Sequence, residues 1–288
     1  MVLDIQCMEH LRQRSILLGT LAFVAAMSTV VACTPKPSAP IEAQSAQQLF
    51  QKKNISDFNL AGTHKIALTF DDGPTAGVTE PLLDLLARKR IKATFFVLGL
   101  RAKLQKTTLE RMRREGHLIG NHSYDHDLLS KGVYTEKPQL LVEQVVSTHR
   151  LIRDHLSPGQ RLYFRAPYGG WKPEHAAALN SIDEVRDYVG PVFWNIGGTI
   201  TPKEPRPSTT SDVQTAADWD CWSSGANKRA LTPEVCAAGY YKDILAKDGG
   251  VVLMHDHDPR TVTMLNYVLA WLEDKGFEFV TLDDLRAI

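Results

Sequence analysis

Two adjacent carboxylates, Asp71 and Asp72, end the short apolar run at residues 66–70 and are followed at once by Gly73-Pro74. Consecutive side chains at a strand end point in different directions. One carboxylate can therefore bind a metal while the other faces the water to be activated, and spacing leaves open which does which. Downstream, His122 and His126 stand four apart in NHSYDH. From a single helical turn, two imidazoles at that spacing reach one ion. Two histidines and one aspartate leave a coordination position open, as catalytic metal sites require. Arg165, in RAPYGG, can pair with a carboxylate and fix its orientation. The Pro-Tyr-Gly turn after it can aim a backbone N–H at a developing oxyanion. One histidine of His255-Asp256-His257 can serve as general acid to a leaving group.

These residues need elements to bring them together, and the chain supplies a strand–helix rhythm. Strand-like runs are read at residues 66–70, 93–98, 118–120, 162–165, 192–196, 250–254 and 277–281. Helical spacing is read at 78–90, 107–115, 139–155, 173–179, 233–245 and 261–275. Such alternation implies a parallel sheet, either a barrel or doubly wound. In both architectures functional groups gather at the C-terminal ends of the strands, where the residues above all stand. Residues 197–232 leave the rhythm.

The chain has 288 residues, 43% of them hydrophobic, with Lys+Arg 33 balancing Asp+Glu 33. That is material for a sizeable core, and it lacks the basic excess of a nucleic-acid binder. Arg12 and Arg14 precede a weakly polar-to-apolar stretch at residues 15–32, the layout of a secretory signal. Asp4 and Glu9 are unusual there, so Met8 is an alternative start. Val30-Val31-Ala32-Cys33 resembles the lipobox of bacterial lipoproteins, in which the cysteine is lipidated and becomes the new N-terminus. Residues 34–51, rich in Pro, Ala, Ser and Gln, read as a tether. The expected organisation is a signal at 1–33, a tether at 34–60 and a catalytic domain at 61–288. It describes an exported bacterial cell-envelope protein that touches the membrane through a lipid anchor only, with no obligate protein partner. Of the remaining cysteines, Cys221 and Cys236 are expected to pair in an oxidising compartment. Closing a loop of about 15 residues contributes roughly 3 kcal/mol in the chain-entropy model.

In order, TFDDGP, HSYDH, RAPY, Asp218-Trp219 and LMHD resemble the five-motif signature of the polysaccharide deacetylases, the carbohydrate esterase family of chitin, peptidoglycan and nodulation-factor deacetylases. The resemblance runs from about Lys65 to the C-terminus. It implies an α/β fold, a distorted (β/α) barrel with the site at the mouth, here with an inserted loop segment. It also implies roles: Asp71 as base, Asp72, His122 and His126 as ligands of one divalent ion (zinc first, cobalt possible), and Arg165 as the residue that holds Asp71. The Tyr168 backbone N–H would help stabilise the oxyanion, His255 would be the acid, and Leu253 would line the acetyl pocket. The fourth motif departs from the pattern, because residues 197–217 separate Asp218-Trp219 from the Trp194 strand. Asp218 would tune His255, and Trp219 would wall the pocket. Trp194 is expected in the core, whereas Trp171 and Trp222 are candidates to stack on sugar. The segment 197–240 should form a rim at the mouth.

The implied reaction is hydrolysis of the N-acetyl group of N-acetylglucosamine units, in peptidoglycan first and chitin-type oligosaccharides second. O-acetyl ester hydrolysis on acetylated xylan is an alternative. A non-catalytic carbohydrate-binding relative is another, but it should have lost a ligand, the base or the acid, and all are present.

Overall fold

The run KIALTFD forms β1 (Lys65–Asp71), and all but its first residue are buried. Burial on both faces, without polar alternation, marks a strand covered on either side. In the computed structural model, which describes residues 58–201, 206–223 and 230–287, β1 lies at the centre of a parallel sheet. β2 (Thr94–Val97), β3 (Leu118–Asn121) and β4 (Gly250–His255) complete the order β3-β2-β1-β4, and β5 (Glu278–Phe279) pairs with the start of β1. The register sets Asp71 level with Phe96 on one side and with His255 on the other. Base and acid candidates therefore leave neighbouring strands at the same height.

Single parallel bridges extend the sheet from Asn121 to Phe164 and from Tyr163 to Val189, and another joins Ile196 back to Val252 of β4. These bridges close a distorted barrel and exclude the doubly wound alternative. The expected strands at 162–165 and 192–196 shrink to these bridges for a visible reason. Val192 and Phe193 give their carbonyls to the Arg165 guanidinium at 2.9 and 3.1 Å, so those groups are withdrawn from a ladder. Pro167 and Pro191 also lack the N–H a ladder needs.

Helices cover the outside. α1 (Thr79–Lys89) buries Leu82, Leu83, Leu85 and Leu86, carries Glu80 in its first turn and Arg88 and Lys89 in its last, and stops at left-handed Arg90. The charges suit the helix dipole. α2 (Lys106–Arg114), α3 (Pro138–Ile152) and α4 (Pro173–Asn180) follow. The 197–240 segment contributes α5 (Asp218–Cys221), and beyond it come α6 (Pro233–Lys247) and α7 (Pro259–Leu272). Thr232 and Asp258 cap α6 and α7, each with proline at the first helical position. A Cys221–Cys236 disulfide, 2.07 Å between sulfurs, joins α5 to α6.

The expected leader at 1–33, Cys33 and the tether up to residue 57 lie outside the described residues. Phe58 and Leu60, at the end of the expected tether, are buried in one core cluster with Tyr163 and Val251. The packed part thus begins by Phe58 rather than after residue 60.

Candidate active site

Arg165 is 1% exposed, yet every arm of its guanidinium has a partner. Nη1 donates to Asp71 Oδ1 at 2.7 Å and to Thr69 Oγ1 at 2.8 Å, while Nε and Nη2 take the carbonyls named above. The plane also lies 4.2 Å from the Phe96 ring centre. A buried carboxylate is tolerable with such a partner and costly without one. Asp71 Oδ1 is thereby fixed, and Oδ2 is left toward the pocket, 3.6 Å from His122 Nε2.

Asp72 leaves the strand in the left-handed region, at φ 76°. Its Oδ1 lies 3.5 Å from His122 Nε2 and 3.2 Å from His126 Nε2. The ligand atoms of the three residues all fall within 4.8 Å of one another. His122 donates its Nδ1–H to the Arg165 carbonyl at 2.8 Å, which frees Nε2 as a lone-pair donor. Asp72 Oδ1 is buried without a hydrogen-bond partner, a costly condition unless a cation takes it. Two imidazole nitrogens and one carboxylate oxygen fit zinc or a similar divalent ion. Burial would raise the Asp72 pKa, but contact with His257 and the field of His122, His255 and His126 hold it well below the carboxylate range. Burial lowers that of His126.

The expected helical turn carrying these histidines is instead a loop. Ser123 and His126 have φ of 67° and 66°. Side chains take the local N–H groups: Asn121 that of Ser123, and Gln144 those of Tyr124 and Asp125. Those donors satisfy the backbone outside any helix.

Opposite, β4 ends on His255. Its Nδ1 meets Asp218 Oδ1 at 2.7 Å, and its backbone N–H donates to Asp218 Oδ2, also at 2.7 Å. Asp218 is fully buried. It accepts further from the Thr261 hydroxyl at 3.0 Å and from the Trp219 N–H at 2.9 Å. Tyr240 accepts from the Asp218 N–H and donates to the Leu253 carbonyl, at 3.0 and 2.9 Å, which ties α5 to β4 and α6. Gly197 begins the insertion at φ 93°, where a Cβ would sit 2.2 Å from the Leu253 carbonyl oxygen, so only glycine fits there. Burial would lower the His255 pKa, but Asp218, with help from Asp72 and Asp71, raises it to about 9.

These groups face one cavity of about 430 Å³, walled also by Tyr168, Trp194, Trp219 and Leu253. Tyr168 and Trp219 are 69% and 50% exposed at its mouth, and the Tyr168 ring lies 4.5 Å from that of His126. Trp194 packs on the core, as expected, yet also lines the cavity.

Trp222 does not stand as a sugar platform. It is 8% exposed, sits in the main core cluster with Leu231 and Val235, and has Arg260 4.9 Å over its ring. Its neighbour Cys221 is bonded to Cys236. Trp171 packs against Phe164 and His175, with ring centres 5.5 and 5.1 Å away, so a face of it is already taken. His257, a candidate acid in the sequence that the family resemblance passed over for His255, lines the cavity beside Asp72. Its signal was visible as the second histidine of HDH.

Residues 60–183 match the family model described as polysaccharide deacetylase. The chain is 34% identical over 227 residues to the peptidoglycan-N-acetylglucosamine deacetylase PgdA of Listeria monocytogenes, an alignment covering 77% of this chain and 38% of that protein. It thus spans well under half the length of that relative. A chitooligosaccharide deacetylase of a Bradyrhizobium strain is 27% identical over 249 residues, covering 82% of this chain and 95% of the relative. The structure of the peptidoglycan deacetylase PdaC from Bacillus subtilis matches with a TM-score of 0.56 at 27% identity, covering 77% of this chain and 90% of that one.

Proposed function

The chain belongs to the polysaccharide deacetylase family, and on that premise we propose that it is a metal-dependent hydrolase removing N-acetyl groups from N-acetylglucosamine units of a cell-envelope polysaccharide. Peptidoglycan comes first and chitin-type oligosaccharide second. One observation carries the reading: an Arg-held aspartate, an Asp-held histidine and a three-ligand cluster converge on one cavity.

Asp72, His122 and His126 would hold the ion, zinc first and cobalt second. When bound, such an ion supplies Lewis acidity at neutral pH. Asp71, its Oδ1 fixed by Arg165, takes the proton of the attacking water on Oδ2. The Tyr168 backbone N–H donates to the charge growing on the carbonyl oxygen. His255, kept protonated by Asp218, gives its proton to the departing sugar nitrogen. Leu253 walls the space for the acetyl methyl, and Trp219 offers an exposed ring face at the mouth. The products are acetate and a glucosamine unit.

Mass spectrometry of peptidoglycan, chitin oligomers and acetylated xylan after incubation tests the assignment. Loss of acetyl from the first two supports it, while loss from acetylxylan alone moves the activity to ester hydrolysis. Export and a lipid anchor on Cys33 belong to the same reading, because they deliver the protein to such a polymer. Fatty-acid labelling should tag the wild type and spare Cys33→Ser; equal labelling of both contradicts the anchor.

A further inference from the structure

Three consecutive residues at the end of β4 clasp three at the end of β1. His255 stands in register with Asp71. The Asp256 N–H donates to the Asp71 carbonyl at 3.2 Å. The Asp256 side chain lies so close to Gly73 that a Cβ there would sit 1.9 Å from its Oδ2, an oxygen that also accepts the Thr79 hydroxyl at 2.6 Å. His257 completes the clasp, with Nδ1 3.2 Å from Asp72 Oδ2.

Asp72 thus divides its two oxygens. Oδ1 faces His122 and His126 and has no hydrogen-bond partner. Oδ2 faces His257. A carboxylate turns about a soft sp³–sp² torsion, so something on the Oδ2 side must set the direction of Oδ1. Nδ1 of His257 is also without an aligned hydrogen bond, although it lies within reach of Oδ2 and its ring turns about an equally soft torsion. The residue is about one-third exposed at the cavity wall, its side chain at 34%. It is therefore not held there as core filling.

We propose that His257 is a positioning residue for the metal carboxylate, its Nδ1–H holding Asp72 Oδ2 so that Oδ1 stays aimed between His122 and His126. The inference rests on the metal-binding reading of that cluster. Partners of this kind behind a ligand typically carry about 10–100-fold in metal affinity.

Zinc dissociation constants of the purified full chain, measured by competition with a chromophoric chelator, test it without reference to turnover. His257→Leu and His257→Gln, which lack a donor at the Nδ1 position, should bind zinc about 10–100-fold more weakly. His257→Asn, whose amide nitrogen takes the place of Nδ1, should stay close to wild type. Thermal unfolding of each variant reports folding, and His257→Gln carries the comparison if His257→Leu does not fold. Wild-type affinity in the Leu and Gln variants overturns the proposal. An equal loss through the Asn variant overturns it too, because the donor atom would then not matter. A wild-type protein that binds no zinc fails the metal reading itself and is told apart by that first measurement.

Discussion

The two walls of the cavity hold buried ion pairs of opposite polarity. On one wall a cation stands behind a carboxylate, Arg165 behind Asp71, their side chains 1% and 4% exposed. On the other a carboxylate stands behind an imidazole, Asp218 behind His255, at 0% and 13%. In the proposed mechanism the first pair gives countercharge and aim to the proton acceptor, and the second holds the proton donor above its usual range. The pairs differ as much in how they are built. Asp71 and Arg165 leave the barrel wall itself, and the carbonyls that grip Arg165 come from its neighbouring segment. Asp218 comes from the 197–240 segment, is held by Tyr240 and Thr261, and opens the short helix that the Cys221–Cys236 bond joins to α6. The two proposed proton tasks thus rest on one support from the barrel wall and one from the segment that follows it.

Removing the partner from each wall should give unequal losses. Arg165→Met leaves Asp71 buried without countercharge, and such a lone charge costs about 3–5 kcal/mol. Chemical denaturation should read that loss of stability. An unchanged unfolding free energy would show that the carbonyls and Thr69 do not need the cation.

Opening the disulfide attacks the other support. A Cys221→Ser, Cys236→Ser double variant should lose up to about 3 kcal/mol of stability by loop entropy, with turnover falling further than in a variant equally destabilised elsewhere. Turnover that tracks stability alone would mean that the bond does not position Asp218.

The smallest effect is the most specific. Asp218→Asn keeps a hydrogen-bond acceptor but removes the charge that, against the opposing effect of burial, raises His255 to about 9. A general acid works protonated, so the alkaline limb of kcat/KM should move from near that value toward the ordinary histidine pKa of about 6.5. At pH 7 the protonated fraction then falls about fourfold. The same raised pKa contributes stability that is full below about 6.5 and lost as pH rises through about 9. An alkaline limb that stays in place in the variant contradicts the pairing.

The strand that ends in Asp71 and Asp72, the helices flanking it and the crowding of motifs past strand ends were readable from hydrophobic periodicity. Periodicity did not show that 162–165 and 192–196 would give up their ladders. That outcome depends on a guanidinium from one segment claiming the carbonyls of the other, a long-range contact. The four-residue spacing of His122 and His126 suits a helical turn, but left-handed residues and the Asn121 and Gln144 side chains make a loop there. Trp222 was legible as an aromatic in an irregular segment, but its burial depends on packing against Leu231 and Val235, which a local pattern does not reveal. His257 was plain in the sequence, and its bearing on Asp72 appears only when β1 and β4 lie side by side.

The proposed division of labour makes Asp71 the base and Asp72 a metal ligand, and bound metal measured alongside turnover separates the two roles. Asp71→Asn should retain its zinc while losing turnover by a factor of about 10²–10⁴ or more, whereas Asp72→Asn should lose both. Loss of zinc from Asp71→Asn, with zinc kept in Asp72→Asn, would contradict this assignment and reverse the two carboxylates.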